Sequence, residues 1–257
     1  MDLPSISVIT PSFNQGHFIR QTVESVLCQQ YPKLDYTIID GLSTDNTLSI
    51  LETYKSQLRL IVEQDSGQTD AINKGLRSAQ GEIVCWLNSD DYFLPGTLQA
   101  VGTYFAQHPS CLWLTGDCLI VDEEGTIIQQ PIRYYKRLLR QLPVPVYLGL
   151  TNAVCQPATF WRRSIHAQLG YLDESLRYTM DYDWWLRLKS IQPPVVLARP
   201  LTAFRIHKDS KGGSEFSRQF EEDYAVLTKY TSNTLTRTAH RLHNTLINSI
   251  YRVLKKV

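Results

Sequence analysis

The 257-residue chain is long enough for one large α/β domain or two small ones, and a hydrophobic content of 43% excludes a mainly disordered state. Lys and Arg number 26 against 25 Asp and Glu, so the basic excess of a dedicated nucleic-acid binder is absent. No apolar run approaches the roughly 20 residues of a membrane-spanning helix, and the opening Met1-Asp2-Leu3-Pro4 lacks the basic start of a signal peptide, so the sequence predicts a cytoplasmic protein.

The first half alternates strand and helix signals. Ser5 to Thr10 is β-branched and apolar, as a buried parallel strand should be. Phe18, Val23, Val26 and Leu27 then recur at helical spacing. Tyr36 to Asp40 reads as a second strand, Leu48 to Tyr54 as a second helix and Leu58 to Glu63 as a third strand. Ala71, Ile72, Leu76 and Ala79 mark a third helix, and Glu82 to Leu87 a fourth strand. Such alternation predicts a parallel sheet covered on both faces, with right-handed connections. Beyond Asp91 the pattern weakens. Pro95 to Gln107 reads as helix and Trp113 to Val121 as strand, and residues 131–155, with Pro131, Pro143 and Pro145, read as irregular. Ala158 to Arg162 is strand-like, Tyr182 to Leu188 helical and Val195 to Ile206 extended. Lys208 to Ser214 reads as a flexible polar loop, and from Glu215 the chain reads as helix to its end.

In an open parallel sheet, ligands bind beyond the carboxyl ends of the strands. Those ends carry Thr10-Pro11-Ser12-Phe13-Asn14, then Asp40 to Asp45, then Glu63 to Gln68, then Asn88-Ser89-Asp90-Asp91. All four are polar. Two adjacent carboxylates after a buried strand repel each other, and a divalent cation such as Mg²⁺ or Mn²⁺ relieves that repulsion while binding substrate phosphates. A solvated turn is the plain alternative for Asp90 and Asp91, and an exposed helix residue for Lys74, whose other reading is a phosphate partner. Neither the G-x-G-x-x-G fingerprint nor the P-loop occurs, which argues against a dehydrogenase or a P-loop ATPase. Cys28, Cys85, Cys111, Cys118 and Cys155 form an odd set without C-x-x-C, and read as buried reduced thiols with no disulfide framework or zinc site.

Taken together, six segments resemble family 2 glycosyltransferases of the GT-A fold: Val8 to Asn14, Ile39 to Thr47, Asp65 to Gly75, Trp86 to Asp91, Gln156 to Arg163 and Met180 to Leu188. The resemblance covers residues 4–210. It implies an α/β chain in which a Rossmann-like, mostly parallel sheet is flanked by helices. A smaller mixed sheet would lie on the acceptor side, with a helical tail at the C-terminus. It implies a GT-A domain over 1–214, divided into a nucleotide-binding half (1–107) and an acceptor half (108–214), and a helical extension over 215–257. The implied reaction is inverting transfer of a sugar from a nucleotide-diphosphate sugar, UDP by family frequency with TDP or GDP fitting the same loops. The acceptor would be a glycan or a lipid-linked hydroxyl in cell-surface or exopolysaccharide assembly. Thr10, Pro11, Phe13, Asn14, Asp40, Asp65, Gln68, Lys74, Asn88, Ser89 and Asp90 would hold the nucleotide sugar. Asp90 and Asp91, with His207 as a third ligand, would hold Mn²⁺ or Mg²⁺. Asp181 would be the general base. Here Asn88 replaces the common first Asp of the metal motif, and Met180 replaces the usual Glu beside Asp181.

The tail has no acidic residue after Asp223, while Lys229, Arg237, Arg241, Arg252, Lys255 and Lys256 are basic. Leu235, Ala239, Leu242, Leu246, Ile250 and Leu254 recur at three-to-four spacing. Such a helix either lies on an anionic membrane surface, placing the protein at the inner face of the cell membrane, or packs on the core or on a second subunit as a homodimer. Arg133 to Arg140 is a second basic, aromatic stretch, an acceptor-side surface or an ordinary amphipathic helix. Two other functional classes share these features. One is a nucleotidyltransferase making nucleotide sugars, which needs a glycine-rich N-terminal loop that Pro11 to Asn14 does not supply. The other is a non-catalytic nucleotide- or glycan-binding protein.

Overall fold

The computed structural model describes residues 2–208 and 216–254. Four parallel strands form its first half: β1 (Ile6–Ser12), β2 (Leu34–Asp40), β3 (Arg59–Val62) and β4 (Ile83–Trp86). Between them run α1 (Ile19–Leu27), α2 (Thr47–Glu52) and α3 (Gln68–Ser78). Alternate residues of a strand point to opposite faces, and β1 shows the consequence. Ile6 and Val8 pack with Ile19, Val23 and Val26 of α1, whereas Ile9 packs with Ala71, Ile72 and Leu76 of α3. α3 lies so close that a Cβ on Gly75 would stand 2.3 Å from a methyl of Ile9.

The chain continues through β5 (Tyr92–Phe93), α4 (Thr97–Gln107), β6 (Trp113–Val121), α5 (Gln130–Leu139), α6 (Val144–Leu150), β7 (Thr159–Arg162), α7 (His166–Leu169), α8 (Met180–Ile191) and β8 (Val195–Arg205). Two helices close it, α9 (Phe216–Tyr230) and α10 (Thr234–Leu254). Among the described residues, eight strands run in the order β3-β2-β1-β4-β7-β6-β8-β5. The strands expected to form a smaller second sheet therefore extend the first one. β7 makes the seam, pairing antiparallel with β4 on one side and β6 on the other. The segment 131–155, expected to be irregular apart from the amphipathic helix offered for Arg133 to Arg140, holds two helices, of which α5 covers that stretch as far as Leu139. Its prolines fall at helix starts, where a missing N–H removes no hydrogen bond.

Four tryptophans join the halves. Trp185 of α8 stacks between Trp86 of β4 and Trp113 of β6, with ring centroids 5.8 Å away in each case, and Trp161 of β7 meets their edges. This packing sets the start of α8 against the carboxyl edge of the sheet. α10 docks through polar groups: buried His240 and Asn244 face Asp223 of α9, while Leu235, Leu242 and Leu246 point outward. The expected loop over 209–214, and Lys255 and Lys256, lie outside the described residues. Among the described residues no helix is long and apolar enough to cross a membrane.

Candidate active site

After β1 the chain steps outward to β2 and β3 and returns on the other side of β1 to β4. The loops after β1 and β4 therefore diverge, and ligands of open α/β sheets bind at such a divergence. A cleft of about 830 Å³ opens there, within the range of small-molecule sites. Pro11, Phe13, Asp65, Gln68, Asn88, Ser89, Asp90, Asp181 and His207 of the expected set all line it. Phe13 is 58% exposed, an aromatic face open to a planar ring.

Five expected residues do not line the cleft. Thr10 is buried, its hydroxyl paired with Tyr36 at 3.2 Å. Asn14 lies in the loop after β1, where its side-chain oxygen accepts the Thr44 N–H. Asp40 is fully buried and turns both oxygens onto Ser43, accepting its N–H and its hydroxyl at 2.7 Å each, so it closes the turn after β2. Lys74 is committed to Glu63 and Asp70, at 3.3 Å each.

Asp91 is the fifth. Its carboxylate is buried, accepting the Arg205 N–H at 2.9 Å and an Asn88 amide hydrogen at 3.3 Å. Burial, reinforced by neighbouring Asp90, pushes its carboxyl well above the usual range. Asp90 instead faces the cleft, its Oδ2 3.0 Å from Nε2 of His207. Among the described residues no cluster of three or more His, Cys, Asp or Glu is arranged to hold a metal. A carboxylate and an imidazole in contact nevertheless suit a hard divalent ion that completes its shell with substrate phosphates. Asn88 is a connector: its amide oxygen accepts from Gln68 at 2.9 Å, and its nitrogen donates to Gln156 at 3.1 Å.

Asp181 opens α8, and Asp183, two residues on, points elsewhere. Asp183 is buried between Arg187 at 2.8 Å and the Tyr230 hydroxyl at 2.6 Å. Asp181 faces the cleft, with Asn152 donating to its Oδ2 at 2.8 Å. Burial pushes its carboxyl up to about 6, against the pull of the Asn152 hydrogen bond. Carboxyls tuned toward neutrality are the usual general bases.

Three residues of this site gave no sequence signal. Arg205 lies across the Phe18 and Tyr92 rings and donates Nε–H to the Asp90 carbonyl, fixing the acidic pair. Glu222 of α9 accepts the N–H groups of Tyr178 and Thr179 at 2.7 and 2.8 Å, anchoring the start of α8. Asn152 orients Asp181. Each acts across a long sequence separation, with no local pattern to announce it.

Comparison with known proteins gives a consistent picture. The glycosyl transferase family 2 model matches residues 7–170. A Rickettsia felis protein named only as an uncharacterized glycosyltransferase is 25% identical over 231 residues, 85% of this chain and 37% of that protein. The poly(ribitol-phosphate) beta-N-acetylglucosaminyltransferase TarS of Staphylococcus aureus is 33% identical over 125 residues, 46% of this chain and 21% of TarS. The chain thus spans well under half the length of either relative. The structure of TarS residues 1–349 with UDP-GlcNAc superposes with a TM-score of 0.68 at 20% identity, covering 91% of this chain and 69% of that one. The mannosyltransferase PcManGT of Pyrobaculum calidifontis, solved with GDP-Man and Mn²⁺, gives a TM-score of 0.71 at 19% identity, covering 96% and 70%. At these identities the structures establish the shared GT-A fold.

Proposed function

The chain belongs to glycosyl transferase family 2, and from that premise we propose that it moves a sugar from a nucleoside diphosphate sugar to a hydroxyl acceptor, with inversion at the anomeric carbon and Asp181 as general base. The observation that carries this reading is that Asp90 and Asp181, far apart in sequence, line one cleft. The half before residue 108 would take the donor, Phe13 meeting the base and Asp65, Gln68 and Ser89 the ribose and phosphates. The half from 108 to 214 would take the acceptor. A UDP-sugar is the favoured donor, supported by the UDP-GlcNAc complex of TarS.

As the acceptor oxygen bonds to the anomeric carbon, its proton passes to a carboxylate oxygen of Asp181. The bond from that carbon to the diphosphate breaks, and its electron pair leaves with the nucleoside diphosphate. Asn152 holds one Asp181 oxygen and so orients the other. A divalent cation, Mn²⁺ or Mg²⁺, held by Asp90 and His207 would neutralise charge on the departing diphosphate. The outward Leu235, Leu242 and Leu246, beside Arg241, support work at the cytoplasmic face of a membrane on a glycan or lipid-linked acceptor.

Asp181→Asn tests the reading. Turnover should fall by about 10²- to 10⁴-fold, while a UDP-sugar still raises the melting temperature as in the parent protein. Retained turnover, or a lost melting shift, refutes the assignment. The pH profile is a second readout. Asp181 must be ionised to accept a proton, so activity should drop as pH falls below about 6. Stability runs the other way: the folded state holds this proton more tightly than the unfolded chain, so the contribution is present in acid and declines as pH rises through about 6.

A further inference from the structure

Opposite the donor loops, the cleft wall holds two cysteines that glycosyl transfer does not use. Cys118 lies on β6 and Cys155 on the turn before β7, and both line the cleft. The pairing of β6 with β8 slips between Thr115 and Asp117 and again between Asp117 and Cys118. Such irregularities re-aim side chains, and Asp117 and Cys118 both reach the cleft. The two sulfurs are free thiols 2.9 Å apart. Behind them sits the buried guanidinium of Arg140, 3.5 Å from the Cys155 sulfur and 2.7 Å from Asp117.

From this arrangement we propose that Cys118 and Cys155 form a peroxide-sensitive dithiol, a modification site in the wall of the cleft that closes reversibly to a disulfide. The two thiols divide their roles. The hydrogen bond from Cys118, and then the charge of Arg140, bring the Cys155 thiol down to about 6 despite burial. The same hydrogen bond, with burial, pushes the Cys118 thiol well above its ordinary range. With the Arg140 guanidinium 3.5 Å from its sulfur, Cys155 is the thiolate that attacks, and Cys118 the thiol that resolves. The Cys155 thiolate attacks one oxygen of hydrogen peroxide and displaces hydroxide as the O–O bond breaks, and the hydroxide takes a proton from solvent to become water. Sulfur is oxidised to the sulfenic acid while the peroxide is reduced. Cys118 then gives its proton to the sulfenic hydroxyl and attacks the Cys155 sulfur. The S–S bond forms and a second water leaves. Transient disulfides of this kind are the ones that sense oxidants in a reducing cytosol.

The bond ties β6 to the turn that contacts Asp181 and Asn88. Asn152 on that turn donates to Asp181, Gln156 accepts from Asn88, and Arg140 holds the Ala153 carbonyl at 2.8 Å. Closing the dithiol also removes the thiolate that Arg140 faces.

Peptide mass spectrometry after brief hydrogen peroxide treatment of the full chain tests the proposal without a turnover assay, so it stands or falls separately from glycosyl transfer. A cross-linked peptide pair containing Cys118 and Cys155, lighter by two hydrogens and restored by dithiothreitol, is the expected result. Cys118→Ser should block the link and leave Cys155 trappable by dimedone as a sulfenic acid. Cys155→Ser should block both, and Cys28→Ser, at an exposed thiol, should change neither. Full alkylation of both thiols after peroxide, a dimedone adduct on Cys118 in the parent protein, or oxidation at Cys28 alone would overturn it. The parent-protein measurement decides the matter even where a serine variant fails to fold.

Discussion

The two banks of the cleft are held by different physics. On the donor bank, loops sit on four parallel strands whose apolar residues meet apolar helix faces, as where Ile9 packs on α3. On the opposite bank, buried polar groups add long-range contacts beside the tryptophan packing: Arg140 with Asp117, Asp183 with Tyr230, and Asp223 with His240 and Asn244. α10 carries the contrast furthest, burying His240 and Asn244 while Leu242 stays 66% exposed. Apolar burial is non-directional and tolerates substitution of similar volume, whereas a buried polar pair binds only its own partner and leaves a costly orphan when that partner is lost.

Three substitutions sharpen this difference. The largest effect is expected where the banks share a floor. Trp185→Ala empties the space between Trp86 and Trp113, and denaturant unfolding should register a loss of about 3–5 kcal/mol. His240→Ala should cost about 1–3 kcal/mol, because Asp223 and Asn244 lose their shared partner on the far bank. The same measurement on Leu242→Ser should stay within about 0.5 kcal/mol of the parent, since that side chain faces outward. A large loss at Leu242 with none at His240 would reverse the account of how α10 docks. If Leu242→Ser keeps its stability but loses binding to anionic vesicles, the outward stripe is a membrane face.

Most of the donor bank was readable from the chain. The four parallel strands fall within two residues of their expected starts, and on the opposite bank the expected strand at Trp113 to Val121 coincides with β6. Apolar periodicity is a local property, so a short window reveals it. The helix α6 was not readable, because Pro143 and Pro145 look like breaks until their place at a helix start is known. Within the site, residue type pointed to the Asp90-Asp91 pair and the family resemblance to Asp181 and His207, and orientation then separated otherwise similar neighbours. Asp90 faces the cleft and Asp91 faces Arg205; Asp181 faces the cleft and Asp183 faces Arg187.

The order of buried strands and the acidic character of the loops after them were written in the sequence alone, since both follow from which residues stand next to each other. Tertiary structure decided which carboxylate of each neighbouring pair reaches the cleft, that α10 turns its leucines outward, and that Cys118 and Cys155 meet. Those outcomes depend on partners many residues away, and hydrogen bonds and charges act through distance in space, which the linear chain does not record.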